Sequence, residues 1–150
     1  MPQSLVKNYI HIVFSTKSRE PLITDDIEKP LHTYIIGISE KLDCPIVNIG
    51  GYYDHVHILC DLSKKVALAT LVEKIKVQSS KWIKTNGSKY SGFYWQRGYG
   101  AFSVRASAIN PVIRYIDRQH IHHKNKTFMD EYRDMLISSK VSFDERYVWD

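Results

Sequence analysis

The chain has 150 residues, of which 43% are hydrophobic and 25% are charged, an ordinary composition for one globular domain over residues 1–150. No run approaches about 18 consecutive apolar residues and the first residues lack a signal-peptide pattern, which argues against a membrane or exported protein. The net charge of +5 favours a polyanionic partner only weakly. Cys44 and Cys60 have no Cys-x-x-Cys spacing, which predicts buried thiols in a reducing cytoplasm.

The first predicted elements are a strand and a helix. Residues 6–16 are rich in β-branched and aromatic side chains, as a strand requires. Thr24 or Asp25 can begin the helix, and Asp25 with Glu28 resembles a capping box. Apolar residues then recur every three or four positions, at Leu31, Ile35, Ile38 and Leu42.

Two strands and a second helix follow. The strands are predicted over residues 46–52 and 55–62, with a tight turn at Tyr53–Asp54. Gly50–Gly51 inside the first of them indicates a bulge or a close backbone approach. Residues 65–85 have a helical apolar period, with lysines mostly off the apolar face.

The last part of the chain predicts one or two short strands, over residues 93–95 and 101–104, and two helices. Asn110 followed by Pro111 is a typical helix start, and that helix is expected to continue to about His122. Thr127 is the expected N-cap of a final helix that ends near Ser138.

The order of these elements predicts an α+β fold. Strand, helix, strand, strand, helix, strand is the order of a ferredoxin-like or RRM-like domain, an antiparallel sheet with helices on one face. Additional C-terminal helices follow this unit. The strand over residues 55–62 is expected to lie centrally in the sheet.

One short motif suggests a metal site. On a strand, side chains alternate between faces, so His55 and His57 point the same way. Two neutral imidazoles on one face provide half of a site for a divalent metal. A third ligand and a reacting group have to come from another part of the chain.

The helix that begins at Asn110 offers both missing groups. Tyr115 and Gln119 are four residues apart and therefore share a helix face. The amide oxygen of Gln119 is a suitable ligand for Mg²⁺ or Mn²⁺. The hydroxyl of Tyr115, with an ordinary pKa of about 10, needs a polarised electrophile or a nearby base to act as a nucleophile.

In this combination the chain resembles the single-tyrosine HUH transposases of small insertion sequences, which are related to the REP-associated tyrosine transposases. Similar segments span nearly the whole chain, and they are HIVFSTKSR (11–19), DHVHIL (54–59), WQRGYGAFSV (95–104), YIDRQHIHH (115–123) and FDERYVW (143–149). The histidine pair alone would be weak evidence, whereas the ordered set is specific.

The resemblance implies roles for these residues. His55, His57 and Gln119 would bind Mg²⁺ or Mn²⁺, and Tyr115 would attack the scissile phosphate of single-stranded DNA to form a 5′-phosphotyrosine intermediate. The element's ends would be recognised as DNA hairpins by a homodimer in a bacterial or archaeal cytoplasm. The tyrosine helix of one subunit would serve the histidines of the other, in trans.

Basic side chains are candidate phosphate contacts in such an enzyme. On the second helix and beside the tyrosine helix they are Lys74, Lys76, Lys81, Lys84, Arg118 and Lys124. His120, His122 and His123 could form a second metal site, although their basic neighbours favour a DNA-facing edge.

Two other functions fit parts of the sequence. A non-catalytic single-stranded nucleic-acid-binding module with an RRM-like fold would expose aromatic rings on the sheet face that carries His55 and His57. A metallohydrolase of the metallo-β-lactamase or cupin kind would need more ligands soon after His57, and Asp61 is the only nearby candidate.

Overall fold

A computed structural model describes residues 2–150 of the chain. In that part of the chain the strands and α-helices are β1 Tyr9–Ser15, α1 Asp25–Lys41, β2 Ile46–Tyr52, β3 His55–Asp61, α2 Leu68–Lys84, β4 Gly100–Ser103, α3 Ile109–Asp117, α4 Gln119–His122 and α5 Phe128–Ser138. The first six of these elements follow the predicted order.

The four strands form one antiparallel sheet in the order β2-β3-β1-β4. β3 pairs with β2 on one side and with β1 on the other, which confirms the central position expected for the histidine strand. β1 and β3 pair over their whole length, from Tyr9 opposite Asp61 to Ser15 opposite His55. Hydrogen bonds on both sides therefore fix the backbone that carries the two histidines.

One face of the sheet packs against α1 and α2. From β3 it contributes Val56, Ile58 and Cys60, which are fully buried. α1 meets this face with the predicted apolar stripe, in which Leu31 and Ile35 are also fully buried. Because each such aliphatic side chain contributes about 1.5–3 kcal/mol on burial, this layer is the main apolar core.

The opposite face of the sheet carries the histidines and is covered by the C-terminal part of the chain. Phe128, Tyr132 and Leu136 of α5 pack against Val13 of β1 in a second, smaller apolar cluster. The ring of Phe128 lies 4.6 Å from that of His55, measured between centroids. The α+β sheet with helices on one face and additional C-terminal helices is thus the observed fold.

β2 and α3 approach each other closely at Gly50. A Cβ atom at this position would lie 2.7 Å from the carbonyl oxygen of Ile116, so only glycine allows the contact. This confirms the close approach predicted for Gly50–Gly51, whereas the register shift of β2 lies between Ile46 and Asn48. The contact lets α3 cross β2 near the histidines.

The helix predicted over residues 110–122 is interrupted. α3 begins one residue earlier, at Ile109, and ends at Asp117; Arg118, at φ −97° and ψ 13°, separates it from α4. The amide N–H of Arg118 donates to the carbonyl of Tyr115 in a tighter, 3₁₀-like turn. Such a turn advances about 120° per residue instead of about 100°, and Gln119 after it is 1% exposed.

Two smaller expectations were wrong. The strand predicted at 93–95 is reduced to an isolated bridge between Thr16 and Trp95, and next to it the side-chain oxygen of Gln96, not a backbone carbonyl, accepts from the N–H of Ser15. The capping box predicted for Asp25 and Glu28 does not form.

The N-cap residue of α1 is Thr24. Its hydroxyl does not cap the helix and lies 2.7 Å from the hydroxyl of Tyr90.

Cys44 and Cys60 are free and fully buried, as predicted. Between residues 2 and 150, no helix has both the length and the apolar character that crossing a bilayer requires.

Candidate active site

His55 and His57 form a buried imidazole pair on the covered face of the sheet, and neither is exposed to solvent. Nδ1 of His55 donates to the carboxylate of Asp54 at 2.7 Å, and Nδ1 of His57 lies 2.8 Å from Nε2 of His11. These outer hydrogen bonds orient both rings, as is usual for histidines that bind metals. Both rings turn Nε2 toward the C-terminal helices.

Three further polar groups converge on these nitrogens, and we call the five side chains the donor cluster. Oε1 of Gln119 lies 2.8 Å from Nε2 of His55, and Oε1 of Glu131 lies 3.1 Å from Nε2 of His57. Nε2 of His123 lies 2.9 Å from the Gln119 oxygen and 3.1 Å from the Glu131 oxygen. The cluster therefore combines three imidazoles, one amide and one carboxylate.

The donor cluster contains more hydrogen-bond acceptors than protons to share between them. His55 donates its Nδ1 proton to Asp54, and His123 donates its Nδ1 proton to the carbonyl of Lys126. When these rings are neutral, their Nε2 lone pairs face the Gln119 and Glu131 oxygens, which are also acceptors. Such an arrangement requires a cation between the donors, either a proton or a metal ion.

The spacing of the donors suits a divalent metal. Nitrogen and oxygen ligands bind Mg²⁺ at about 2.1 Å, so two ligands at a right angle lie about 3 Å apart. The contacts in the cluster run from 2.8 to 3.1 Å. The ligand atoms of His55, His57 and Glu131 all lie within 4.8 Å of one another, as do those of His122, His123 and Glu131.

Burial sets the charges around the cluster. It lowers the pKa of His57 to about 4 and that of His11 to about 3, so both rings are neutral at neutral pH. Burial would also lower the pKa of His123, but the hydrogen bond and charge of Glu131 raise it above its ordinary value. For Glu131, burial would raise the pKa, but hydrogen bonds from His123 and His57 hold it well below the usual range.

Tyr115 lies directly beside the donor cluster. Its hydroxyl donates to Oε2 of Glu131, and its ring centroid is 5.7 Å from that of His57. The side-chain N–H of Gln119 donates to the same Glu131 oxygen at 3.1 Å. Burial and then the charge of Glu131 raise the pKa of Tyr115, so the phenol is protonated at neutral pH. The chain thus brings together all four residues predicted for the core of the site, within one subunit.

Sequence reasoning missed Glu131 and favoured another position for His123. Glu131 is 2% exposed and lies on the apolar stripe of α5, between Phe128 and Tyr132. A carboxylate at a core-facing position of an amphipathic helix was the available signal. His123 was expected on a DNA-facing edge, with a second metal site as the alternative, yet it belongs to the donor cluster.

The predicted basic residues divide into groups. Lys74 and Lys81 are exposed on α2, which lies across the sheet from the donor cluster, whereas Arg118 and Lys124 are exposed beside α4. Lys84 is half-buried, with its ammonium 3.9 Å from the centroid of the Tyr94 ring.

Lys76 differs from these residues because its ammonium is already engaged. It donates to the carbonyls of Gln96 at 2.8 Å, Arg97 at 3.1 Å and Gly98 at 2.6 Å, and burial lowers its pKa to about 8. In this conformation Lys76 holds the segment after Trp95 and does not reach into solvent.

Neither alternative function agrees with this geometry. The sheet face that carries the histidines is covered by α5, so it cannot serve as an open RRM-like stacking surface. Asp61, the further ligand that a metallohydrolase would need, lies at the far end of β3 and pairs with Lys7.

Comparison with known proteins gives concordant results. Residues 4–119 match the family model described as "Transposase IS200 like". A crystal structure of a candidate transposase from Deinococcus radiodurans is similar, with 18% identity, a TM-score of 0.62, and coverage of 79% of this chain and 96% of that one. A REP-associated tyrosine transposase bound to a REP hairpin is also similar, with 16% identity, a TM-score of 0.59, and coverage of 82% and 73%. No curated protein matches the chain.

The central place of Glu131 predicts a large cost for its removal. Glu131→Ala takes the acceptor from Tyr115, Gln119 and two histidines at once, and we expect a loss of about 3 kcal/mol in the free energy of unfolding. Urea unfolding in the presence of a chelator, followed by circular dichroism, measures it. Asp134→Ala is the matched control, because this exposed carboxylate of α5 pairs with Lys126 at the surface and its loss should cost below about 1 kcal/mol. Equal costs for the two variants would contradict the arrangement.

Proposed function

Since the chain belongs to the family of IS200-like transposases and is a transposase, we propose that it nicks and rejoins single-stranded DNA at the hairpin-flanked ends of an insertion sequence. Tyr115 is the nucleophile, and a 5′-phosphotyrosine joins protein and DNA between the two steps. The observation that carries this proposal is the Tyr115 hydroxyl, which is hydrogen-bonded to Glu131 next to buried nitrogen and oxygen donors.

The proposed cleavage step uses these contacts. The oxygen of Tyr115 forms a bond to the scissile phosphorus while the bond from phosphorus to the 3′ oxygen breaks. The phenolic proton passes to Oε2 of Glu131, and the departing 3′ oxygen takes up a proton to become a free hydroxyl. One ester bond replaces another, so attack by a 3′ hydroxyl on the phosphotyrosine rejoins strands without another energy source.

A divalent metal, Mg²⁺ or Mn²⁺, is part of the proposal. His55, His57 and Gln119 would hold it, and we add Glu131 and His123 because their oxygen and nitrogen face the same point. A bound cation would supply electrophilic activation of the phosphate. The neutral state of His57, whose pKa is lowered to about 4, supports its role as a ligand.

The DNA partner is proposed to be a hairpin at each transposon end. One structural neighbour is a REP-associated tyrosine transposase bound to a REP hairpin, which supports such a partner for this chain. The exposed lysines of α2, with Arg118 and Lys124, are candidate phosphate contacts. Lys76 is the weakest member of the predicted set, because its ammonium is engaged with three carbonyls.

A homodimer is also part of the proposal, but we modify the expected exchange of the tyrosine helix. Within one chain, Tyr115 already contacts Glu131, and Gln119 already contacts His55. These contacts support a site that assembles in cis. The composite site in trans remains the alternative, and a mixing experiment distinguishes the two.

Tyr115→Phe tests the nucleophile. The protein incubated with Mn²⁺ and single-stranded DNA from its own genomic flanks, labelled at the 3′ end, should give a labelled band at protein mass on a denaturing gel. Loss of the phenolic oxygen should abolish this band while hairpin binding persists. Tyr147→Phe, at a tyrosine that is 63% exposed, should leave the band unchanged. An undiminished adduct in Tyr115→Phe would exclude this residue as the nucleophile.

His57→Ala tests the metal site. Ligand binding to the folded state stabilises a protein by about 2.7 kcal/mol at a hundredfold excess over Kd, so Mn²⁺ should raise the melting temperature of the wild type by several degrees. His57→Ala should lose this shift together with cleavage. His32→Ala, at a histidine of α1 outside the donor cluster, should retain both. Cleavage that survives in His57→Ala would remove the metal from the mechanism.

Mixing inactive variants tests the assembly. Each His57→Ala subunit lacks a ligand, and each Tyr115→Phe subunit lacks the nucleophile. If sites form in cis, every site in a mixed dimer carries one defect and no adduct is expected. Adduct recovered at a substantial fraction of the wild-type level would demonstrate exchange of the tyrosine helix between subunits.

A further inference from the structure

Apart from the buried donor cluster, a surface cleft of about 650 Å³ lies at the C-terminal end of β1. We call it the basic cleft; its walls include Lys17, Arg19, Tyr94, Arg97 and Trp149. Its volume falls within the range of about 300–1,000 Å³ that is typical of clefts for a drug-sized ligand, and a single nucleotide is of that size. Trp95 and Asp150 also line the cleft, so three cationic side chains, three aromatic rings and one carboxylate border the same space.

The aromatic ring of Tyr94 is available to a ligand. Its side chain is 53% exposed, although Tyr94 lies in a segment anchored on both sides. The carbonyl of Tyr94 accepts from the N–H of Lys17 at 2.7 Å, and the ammonium of Lys84 lies 3.9 Å from its ring centroid. Exposed, positioned rings of this kind stack on unpaired bases, and neighbouring cations hold the phosphates.

The turn that carries the basic residues has an unusual backbone. Ser18 and Arg19 have φ values of 57° and 54°, a region that residues other than glycine rarely adopt. In this conformation the guanidinium of Arg19 donates to the carbonyl of Trp149 at 2.7 Å. The same guanidinium lies 5.7 Å from the centroid of the Trp149 ring. Backbone of this kind concentrates at sites that bind ligands.

The basic cleft adjoins the donor cluster. Thr16 precedes this turn, and its backbone N–H donates to the carbonyl of Asp54 at 2.8 Å. The carboxylate of the same Asp54 accepts from Nδ1 of His55. On the other wall, the ring of Trp149 packs against Tyr132, the neighbour of Glu131. The cleft and the donor cluster therefore lie at the same end of the sheet, on either side of Asp54.

From these observations we propose that the basic cleft binds one unpaired nucleotide of the DNA strand next to the cleavage site, with its base stacked on Tyr94 and its phosphate held by Lys17 and Arg97. The inference rests on the proposed function, because it takes the strand that Tyr115 cuts as the ligand. It adds a second contact region, separate from the nucleophile and the donor cluster.

Binding of a fluorescent single-stranded oligothymidylate, measured by anisotropy as a function of salt, tests the proposal. Tyr94→Ala should weaken binding about tenfold, and Tyr94→Phe should restore it, because stacking needs only the ring. The double variant Lys17→Gln with Arg97→Gln should lower the magnitude of the salt slope by about 1.4, as the loss of two single-strand phosphate contacts requires. The control Lys65→Gln, at an exposed lysine outside the cleft, should change neither quantity beyond a small effect of net charge.

Crosslinking adds a second readout. An oligonucleotide with one thymine replaced by 5-iodouracil, moved stepwise along the strand, should crosslink to the peptide that contains Tyr94 from one position only. Wild-type affinity in Tyr94→Ala together with no crosslink to that peptide would overturn the cleft as a nucleotide site.

The outcomes also separate this inference from the proposed function. If wild-type protein forms the Tyr115 adduct while the cleft variants bind normally, the inference fails and the transposase chemistry stands. If the cleft variants lose binding but no adduct forms with any flanking strand, the chain binds single strands through the cleft and the proposed chemistry fails. Equal weakening of single-stranded and duplex probes would assign the cleft to general phosphate binding and overturn the stacking of an unpaired base.

Discussion

The carboxylate of Glu131 is the contact on which the arrangement of the site depends. It accepts hydrogen bonds from Tyr115 and Gln119 on one oxygen and faces His57 and His123 with the other. A buried anion is costly unless it is paired and fully hydrogen-bonded, and Glu131 meets this condition only when α3, α4 and β3 are all in place. One side chain of α5 thereby couples Tyr115 to the histidine strand.

The fold explains why such a polar centre can be buried at all. The apolar face of the sheet packs on α1 and α2 and supplies the main core, which leaves the other face free to carry histidines. A short second layer then covers that face, with Phe128, Tyr132 and Leu136 around Val13. The polar groups between the layers contact one another, and a proton or metal ion among them satisfies the lone pairs that would otherwise be buried unpaired.

The sequence allowed the framework of the fold and the proximity of four polar residues to be predicted, for identifiable reasons. Strand alternation placed His55 and His57 on one face, and helical spacing related Tyr115 to Gln119. Glu131 and His123 could not be predicted in the same way, because their roles arise from tertiary contacts between α5, α4 and the sheet. For Lys76 the sequence suggested a function that the tertiary contacts do not favour. A lysine on the polar face of a helix is expected to be solvated, whereas the ammonium of Lys76 donates to three backbone carbonyls. The break between α3 and α4 at Arg118 could not be predicted from the spacing of apolar residues either, because one tight turn leaves that spacing unchanged.

The burial of the site constrains how the proposed reaction can begin. His55 and His57 are 0% exposed, and Gln119 and Glu131 are 1% and 2% exposed, so a phosphodiester cannot reach them unless the C-terminal layer moves. Within residues 2–150, the buried apolar cluster under that layer is much smaller than the core on the other side of the sheet, so separating the layer from the sheet costs less free energy. A ligand can drive such a movement only if it binds the open state better than the closed one. The DNA strand proposed as substrate meets this requirement, because its scissile phosphate can contact the buried donors only when the C-terminal layer has moved.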